Sequence, residues 1–417
     1  MTFLKRHKQF LKEVLIYTFT AFGGPQGHYG MLLKIFVNKR KDLTQEEFIE
    51  YNSFCQLLPG ASSTQLISLI GYKRGGLKLA IFTLLIWILP ACILMGLLSL
   101  LISNHVNQNL SFSLFKFIQP MAIGFLLFTS LKSFSSSVKN TITIIIMFTG
   151  MLVMFFFIKT PWVLPILIIC AGIATNFSSK RIPKQTDVKP REMKWTNIFI
   201  FLFVFLLAGL LSESARKNDW NNRKLYNVFE NFYRFGSFVF GGGDVLLPMM
   251  LDQYVERPGN EKIIQKNPGI IKIDKGELLT GYGLVKALPG PVFSIASYTG
   301  GLAVKEYGNK IQMLGSLVGT IAIFLPSALL VFFFFPVWQN LKKYVVVFRA
   351  LEGINAVVVG VMFATTFYLF KYISLTFTDT ISLINVFIIL TTFILLNNTK
   401  ISPTLIVFAC IFFGWVF

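Results

Sequence analysis

Acidic residues and histidines are scarce in this chain, with 19 Asp and Glu against 39 Lys and Arg and only three His. An enzyme that moves protons wants clustered acids or histidines as general acid and base. Within the apolar stretches only His28, Asp244 and Glu352 are on hand, so the enzyme class is disfavoured and no catalytic residue is assigned. Cysteine is rare too. Cys55, Cys92, Cys170 and Cys410 lie in apolar stretches without the spacing of a disulfide framework or a zinc site. No metal and no cofactor is expected. The chain also lacks GxxxxGKS/T, which excludes nucleotide hydrolysis by that route. No small-residue cleavage site follows the basic residues Lys5, Arg6, Lys8 and Lys12, which read as a cytoplasmic anchor and not as a removed signal. Charge itself is missing from 79–102, 140–158 and 311–340.

What fills the chain instead is apolar. Hydrophobic residues make up 54%, 45 of them Phe, and the mean hydropathy is +0.64. A bilayer core of ~30 Å needs roughly 20 apolar residues per helix. Lipid offers no partner for backbone N–H and C=O, so such runs must be helical. The fold class expected is an all-α polytopic membrane protein. A formal net charge of +20 would suggest nucleic acid in a soluble protein. Here the Lys and Arg sit mostly in short connections, the positive-inside pattern, helped by attraction to anionic headgroups. The lipid bilayer is the expected partner, and nucleic acid is not. A positive field also favours anionic cargo.

Thirteen apolar segments can be counted: 14–33, 50–72, 79–102, 112–131, 141–158 and 161–177, then 196–211, then 228–250, 278–303, 311–338, 344–370, 374–397 and 401–417. Between the sixth and seventh lies a basic stretch, 178–194, with Lys180, Arg181, Lys184, Lys189, Arg191 and Lys194. Two sets of matching motifs run in the same order. Phe22-Gly23-Gly24-Pro25 matches Phe240-Gly241-Gly242-Gly243, and Leu58-Pro59-Gly60 matches Leu288-Pro289-Gly290. Thr64 then pairs with Ser294, Gly71 with Gly301, Leu89-Pro90 with Leu325-Pro326 and Gly124 with Gly360. The spacing grows and then holds, as loop insertions in a duplication produce. The division expected is a first repeat over 1–178, a basic loop and linker helix over 179–227, and a second repeat over 228–417. An odd number of crossings between them would make the repeats inverted about an axis in the membrane plane. Most Lys and Arg then fall on the side of the N-terminus, which predicts a cytoplasmic N-terminus in a multi-pass cell-membrane protein.

Glycine and proline inside apolar runs break helices, and broken segments in matching positions of two halves point to a transporter's binding site. The candidate substrate residues are Gly23, Gly24, Pro25, Pro59, Gly60, Ser63, Thr64 and Gln65 in the first half. In the second they are Gly241, Gly242, Gly243, Lys286, Pro289, Gly290 and Ser294. Consecutive glycines can expose N–H groups to an anion, and Ser62, Ser63, Thr64 and Ser294 add uncharged donors. Close packing of glycine faces and a kinked helix bonded to itself are the structural alternatives.

On these motifs the chain resembles the chromate ion transporter family in its long two-domain form. The FGGP…H, LLPG…STQL…GY, FGGG…P and ALPGPVF elements carry the likeness, which covers nearly the whole chain. The resemblance implies a thirteen-helix, inverted-repeat secondary carrier that moves chromate outward, with sulfate as a look-alike substrate. It carries over Phe22, Gly23, Gly24, Pro25, His28, Pro59, Gly60, Thr64 and Gln65, then Gly241, Gly242, Gly243, Pro248, Pro289, Gly290 and Pro291. Three positions depart from the family pattern or from repeat symmetry: Ala61 stands opposite Pro291, Lys286 opposite Gln56, and Asp244 opposite Gln26.

Ionisable residues inside the membrane are functional hypotheses by default. Lys286 is a candidate for holding a dianion, with a snorkelling role as the alternative. His28 and Asp244 are the candidate proton carriers, and Asp244 is a candidate partner of Lys286. Arg349 and Glu352, three apart, read as an ion pair on one helix face. The rival to a carrier is an anion channel, or a carrier of another small anion, and flux kinetics separate these. A homo-oligomer is compatible with the sequence.

Overall fold

The computed structural model describes residues 3–22, 24–104, 115–157, 163–177, 195–240, 242–338, 345–372 and 380–416, and no strand occurs among them. The helices are α1 (Phe3–Thr20), α2 (Gly24–Leu32), α3 (Gln45–Leu57), α4 (Ser62–Asn104), α5 (Ile118–Ser137), α6 (Thr141–Phe157) and α7 (Val163–Ala174). After α8 (Thr196–Lys217) come α9 (Arg223–Phe238), α10 (Leu246–Leu251), α11 (Glu261–Lys266), α12 (Lys275–Val285) and α13 (Ile295–Leu302). The chain closes with α14 (Asn309–Phe334), α15 (Val345–Tyr372), α16 (Thr380–Asn398) and α17 (Pro403–Val416). Among the described residues four stretches are long and apolar enough to cross a membrane: Ser62–Ser103, Thr196–Lys217, Asn309–Phe334 and Arg349–Lys371. Helices α6, α16 and α17 and the stretch Ile166–Phe177 are apolar but shorter. The protein is a polytopic helical membrane protein. The basic stretch 178–194 lies outside the described residues.

The four Gly/Pro-broken segments do not run straight on. Each folds back, because the break stops one helix and contacts between the two arms tie their far ends together. In the first, Tyr17 meets His28 edge-on at 6.3 Å, Phe10 meets Phe36 at 5.6 Å, and Lys39 Nζ lies 2.8 Å from Glu13 Oε1. In the second, Lys73 on the returning arm pairs with Glu47 on the outgoing one. The third is tied by Arg234 Nη2 donating to Gln253 Oε1 at 3.0 Å and by Phe232 against Tyr254. In the fourth, Tyr298 Oη donates to the Glu277 carbonyl at 2.9 Å and Lys305 pairs with Glu277 at 2.6 Å. The sequence leaves these Gly-broken segments open between spanning and re-entrant, and the structure has four helical hairpins.

Matching local devices build the matching hairpins. Thr44 caps α3 in a reciprocal box with Glu47, and its motif counterpart Asp274 caps α12 by accepting from Glu277 N at 3.1 Å. Such caps stabilise a helix start by about 1 kcal/mol. Both first hairpins end in a π-helical turn, Leu33–Lys39 and Asp252–Glu256. Helix α4 joins a returning arm to a long span, and at 43 residues it would be about 65 Å long if straight. It bends at Gly75 and Gly76, which are non-helical.

The hairpins are the core. The largest fully buried side chains, among them Tyr17, Phe36, Phe54, Phe232, Tyr254, Tyr282 and Tyr298, all sit on hairpin arms, joined by Trp87 of α4. The outside is apolar as well: on α8, Phe199, Phe203 and Leu206 are each 64% exposed. Such a surface is a liability in water and natural in lipid.

Candidate functional site

The four hairpin tips meet, and a cavity of about 760 Å³ opens beside them. His28, Gly60 and Ser62 line it from the first half, and Gly242, Asp244, Lys286 and Gly290 from the second. Walls come from α5 (Phe125, Phe128, Thr129, Lys132) and α15 (Leu351, Glu352, Asn355). A cleft of about 10 Å³ between the same tips reaches Ser63, Gly243 and Pro291.

The tips interlock reciprocally. Gly60 N donates to the Val239 carbonyl at 2.7 Å, and Gly290 N donates to the Ala21 carbonyl at 3.2 Å. By motif register Gly60 and Gly290 are counterparts, and so are Ala21 and Val239. Both glycines have positive φ, +114° and +124°, a region closed to side-chain-bearing residues. Their N–H groups are therefore spent on the opposing hairpin and not offered to a ligand. The same two bonds engage one carbonyl at the end of each incoming arm, Ala21 after α1 and Val239 after α9. What faces the cavity is the start of returning arms, at Ser62, Gly242 and Val292. Helix starts carry the positive end of the helix dipole and unpaired N–H groups.

Two charged side chains stand among these breaks. Lys286 Nζ is ion-paired with Asp244 Oδ1, which also accepts from Tyr282 Oη at 2.7 Å. The ammonium lies over the Tyr282 ring, 4.8 Å from its centre. At 9% and 14% side-chain exposure, Lys286 and Asp244 are both largely buried beside the cavity. His28 is buried, with Nδ1 3.2 Å from Ser63 Oγ. Its ring meets Trp87 edge-on at 5.2 Å, and Trp87 stacks on Tyr17 at 4.6 Å.

A family model described as Chromate transporter matches residues 8–175 and 226–415. The chain belongs to the chromate transporter family. An uncharacterized transporter of Methanocaldococcus jannaschii is 23% identical over 354 residues, 83% of this chain and 80% of that protein. A chromate transport protein of Cupriavidus metallidurans is 22% identical over 353 residues, 84% of this chain and 79% of that protein. No solved structure gives a significant match. Membership makes the chain a membrane transporter of anions, and the hairpin tips are where the family's motifs fall.

Not every motif residue reaches the cavity. Thr64 and Ser294 are buried beside it: Thr64 Oγ1 accepts from Trp87 Nε1 at 2.9 Å, and Ser294 Oγ has no partner among the described residues. Successive residues on a helix turn by about 100°, so when Ser62 faces the cavity Thr64 faces inward. Gln65 Nε2 donates to the Pro59 carbonyl at 2.9 Å across the turn, and its Oε1 is buried with no partner among the described residues. Pro289 stands in the fourth tip beside Gly290. Gly24 and Pro25 open α2, where proline's missing N–H costs nothing. Gly23 and Gly241 lie outside the described residues. Arg349 Nη1 donates to the Asn176 carbonyl at 3.0 Å, and Glu352 accepts from Asn140 Nδ2.

Sequence reasoning passed over three groups. Tyr282 lies one helical turn before Lys286, a spacing that could have revealed it. Tyr17 and Trp87 close the box around His28 but come from separate elements, and no local signal joins them. The third group is the cavity's mouth, where Lys132, Ser133, Ser136, Ser137 and Lys139 run along the end of α5 and the turn after it. Lys132 Nζ is 5.2 Å from the Phe128 ring centre. Neither lysine forms an ion pair among the described residues.

Proposed function

We propose that this chain is a secondary carrier for a tetrahedral oxyanion, chromate first and sulfate as its look-alike, working by alternating access at the hairpin tips. The observation that carries this is the reciprocal joining of four Gly/Pro tips around one polar cavity that holds a lysine. The name of the Cupriavidus metallidurans relative supports chromate as the cargo.

An inverted repeat explains the reciprocity. Hairpins that return to their own side leave nine helices as crossings: the outer limb of α4, then α5, α6, α7, α8, α14, α15, α16 and α17. Five of these precede the second motif set, so the two halves enter the membrane from opposite faces. Pairings along the chain agree with this sorting. Ser103 Oγ at the far end of α4 donates to Gln312 Oε1 at the start of α14 at 3.0 Å, while Trp338 after α14 donates to Glu50 in α3. A site between inverted halves can be opened to either face by rocking one against the other.

In this reading the mouth of the cavity lies on the N-terminal face, with Lys132, Lys139 and Glu352. That face is the more basic, which favours the cytoplasm. Purified protein in liposomes is expected to take up labelled chromate or sulfate saturably and to support counterflow of one against the other. Current that rises without saturation and shows no counterflow would make it a channel. Lys132→Gln/Lys139→Gln should slow uptake at low ionic strength and match wild type at high salt, because exposed charges act over a Debye length of about 10 Å at 0.1 M. A deficit that persists in high salt would mean direct contact with the anion and not steering.

A further inference from the structure

We propose that Asp244 is a built-in counter-anion, displaced from Lys286 by the transported dianion, and that the displaced carboxylate takes up a proton from the cavity water. Each dianion then moves with one proton. The proposal rests on the cavity being an oxyanion site.

The pair is not needed to build the tips. Its motif counterparts in the first half are Gln26 and Gln56, and Gly60 and Gly290 bond across the tips in the same way at both places. Charge stands at only one of two otherwise matching positions, and there it faces the cavity. With the pair closed, Lys286 and Asp244 cancel. A dianion that engages Lys286 leaves Asp244 without its cation, and two negative groups then share the space beside the buried tips. Like charges in such a space cannot both stay ionised cheaply.

Two groups beside Lys286 can accept a proton, and only one of them loses a partner to the anion. Lys286 and Tyr282 face Asp244 from α12, and His28 lines the same cavity from α2 with Nδ1 engaged by Ser63 and Nε2 without a partner among the described residues. Lys132, Lys139 and Glu352 lie toward the mouth, with Glu352 held by Asn140. Only Asp244 loses a partner when an anion takes Lys286. Tyr282 Oη can donate to the neutral acid's carbonyl oxygen as it does to the carboxylate, so protonation costs no hydrogen bond there.

The test uses sulfate, which stays a dianion near neutral pH, titrated into the purified full chain in weak buffer with a pH indicator. Wild type is expected to take up about one proton per sulfate bound. Asp244→Asn should take up none and bind sulfate about tenfold more tightly, since no carboxylate competes for Lys286. His28→Gln should keep the proton count of wild type. Sulfate binding to wild type without proton uptake overturns the proposal while leaving the oxyanion site in place. Uptake that survives in Asp244→Asn, or that vanishes in His28→Gln, overturns it as well. Failure of sulfate and chromate to bind wild type at all would sink the oxyanion reading itself.

Discussion

Gly60→Ala and Gly290→Ala are each expected to abolish transport and to lower the melting temperature of the purified protein. At Gly60 the added Cβ would meet Ser327 Oγ at 2.5 Å and Ser327 Cβ at 2.7 Å, and at Gly290 it would meet Ala91 Cβ at 2.8 Å. Positive φ adds strain of about 1–3 kcal/mol, and overpacking a closed contact costs about 1–3 kcal/mol more. The backbone cannot relax freely, because each glycine N–H is bonded to a carbonyl of the opposing hairpin. Gly60→Ala/Ser327→Gly should recover part of the loss by removing the clash while the φ strain remains. Gly209→Ala on α8, where nothing lies within 4 Å of the new methyl, is the control and should melt like wild type. Wild-type stability and flux in Gly60→Ala would mean that the joined tips are not required.

The positions of the breaks were legible in the sequence because stopping a helix is a local property of glycine and proline. Whether each broken segment crosses or folds back stayed open, since an apolar run of twenty residues looks alike either way. The difference lies in contacts between residues far apart in sequence, such as Phe10 with Phe36. A faint signal existed: Glu13 with Lys39, Glu47 with Lys73 and Glu277 with Lys305 each straddle a break at similar distances from it. The partnership of Lys286 with Asp244 was readable because an intramembrane charge demands a partner. The inward turn of Thr64 was not, since it depends on where the helix starts after Gly60. Arg349 and Glu352 share a helix face by spacing, yet each finds a partner on another segment, the turn after α7 and the turn before α6. Spacing along one helix allows a contact, and neighbouring helices decide whether it is used.

Lys286→Gln is expected to weaken binding of sulfate or chromate about ten- to hundredfold, the loss of a charged contact worth roughly 1–3 kcal/mol. It should also destabilise the protein by about 3–5 kcal/mol, because it leaves Asp244 buried with only Tyr282 as partner. The two losses have different causes and can be separated. Asp244→Gln/Lys286→Gln recreates the pair found at the matching positions Gln26 and Gln56, so it should melt near wild type. It has no cation at the tips but also no carboxylate to repel the dianion, so it should bind the anion more weakly than wild type and better than Lys286→Gln. Thermal unfolding and sulfate titration of wild type, Asp244→Gln, Lys286→Gln and the double variant form a double-mutant cycle: coupling is expected in stability, and only part of the lost affinity should return in the double variant. If Lys286→Gln binds sulfate as wild type does, the lysine only holds Asp244 in place, and the anion is held by the helix starts at Ser62, Gly242 and Val292 alone.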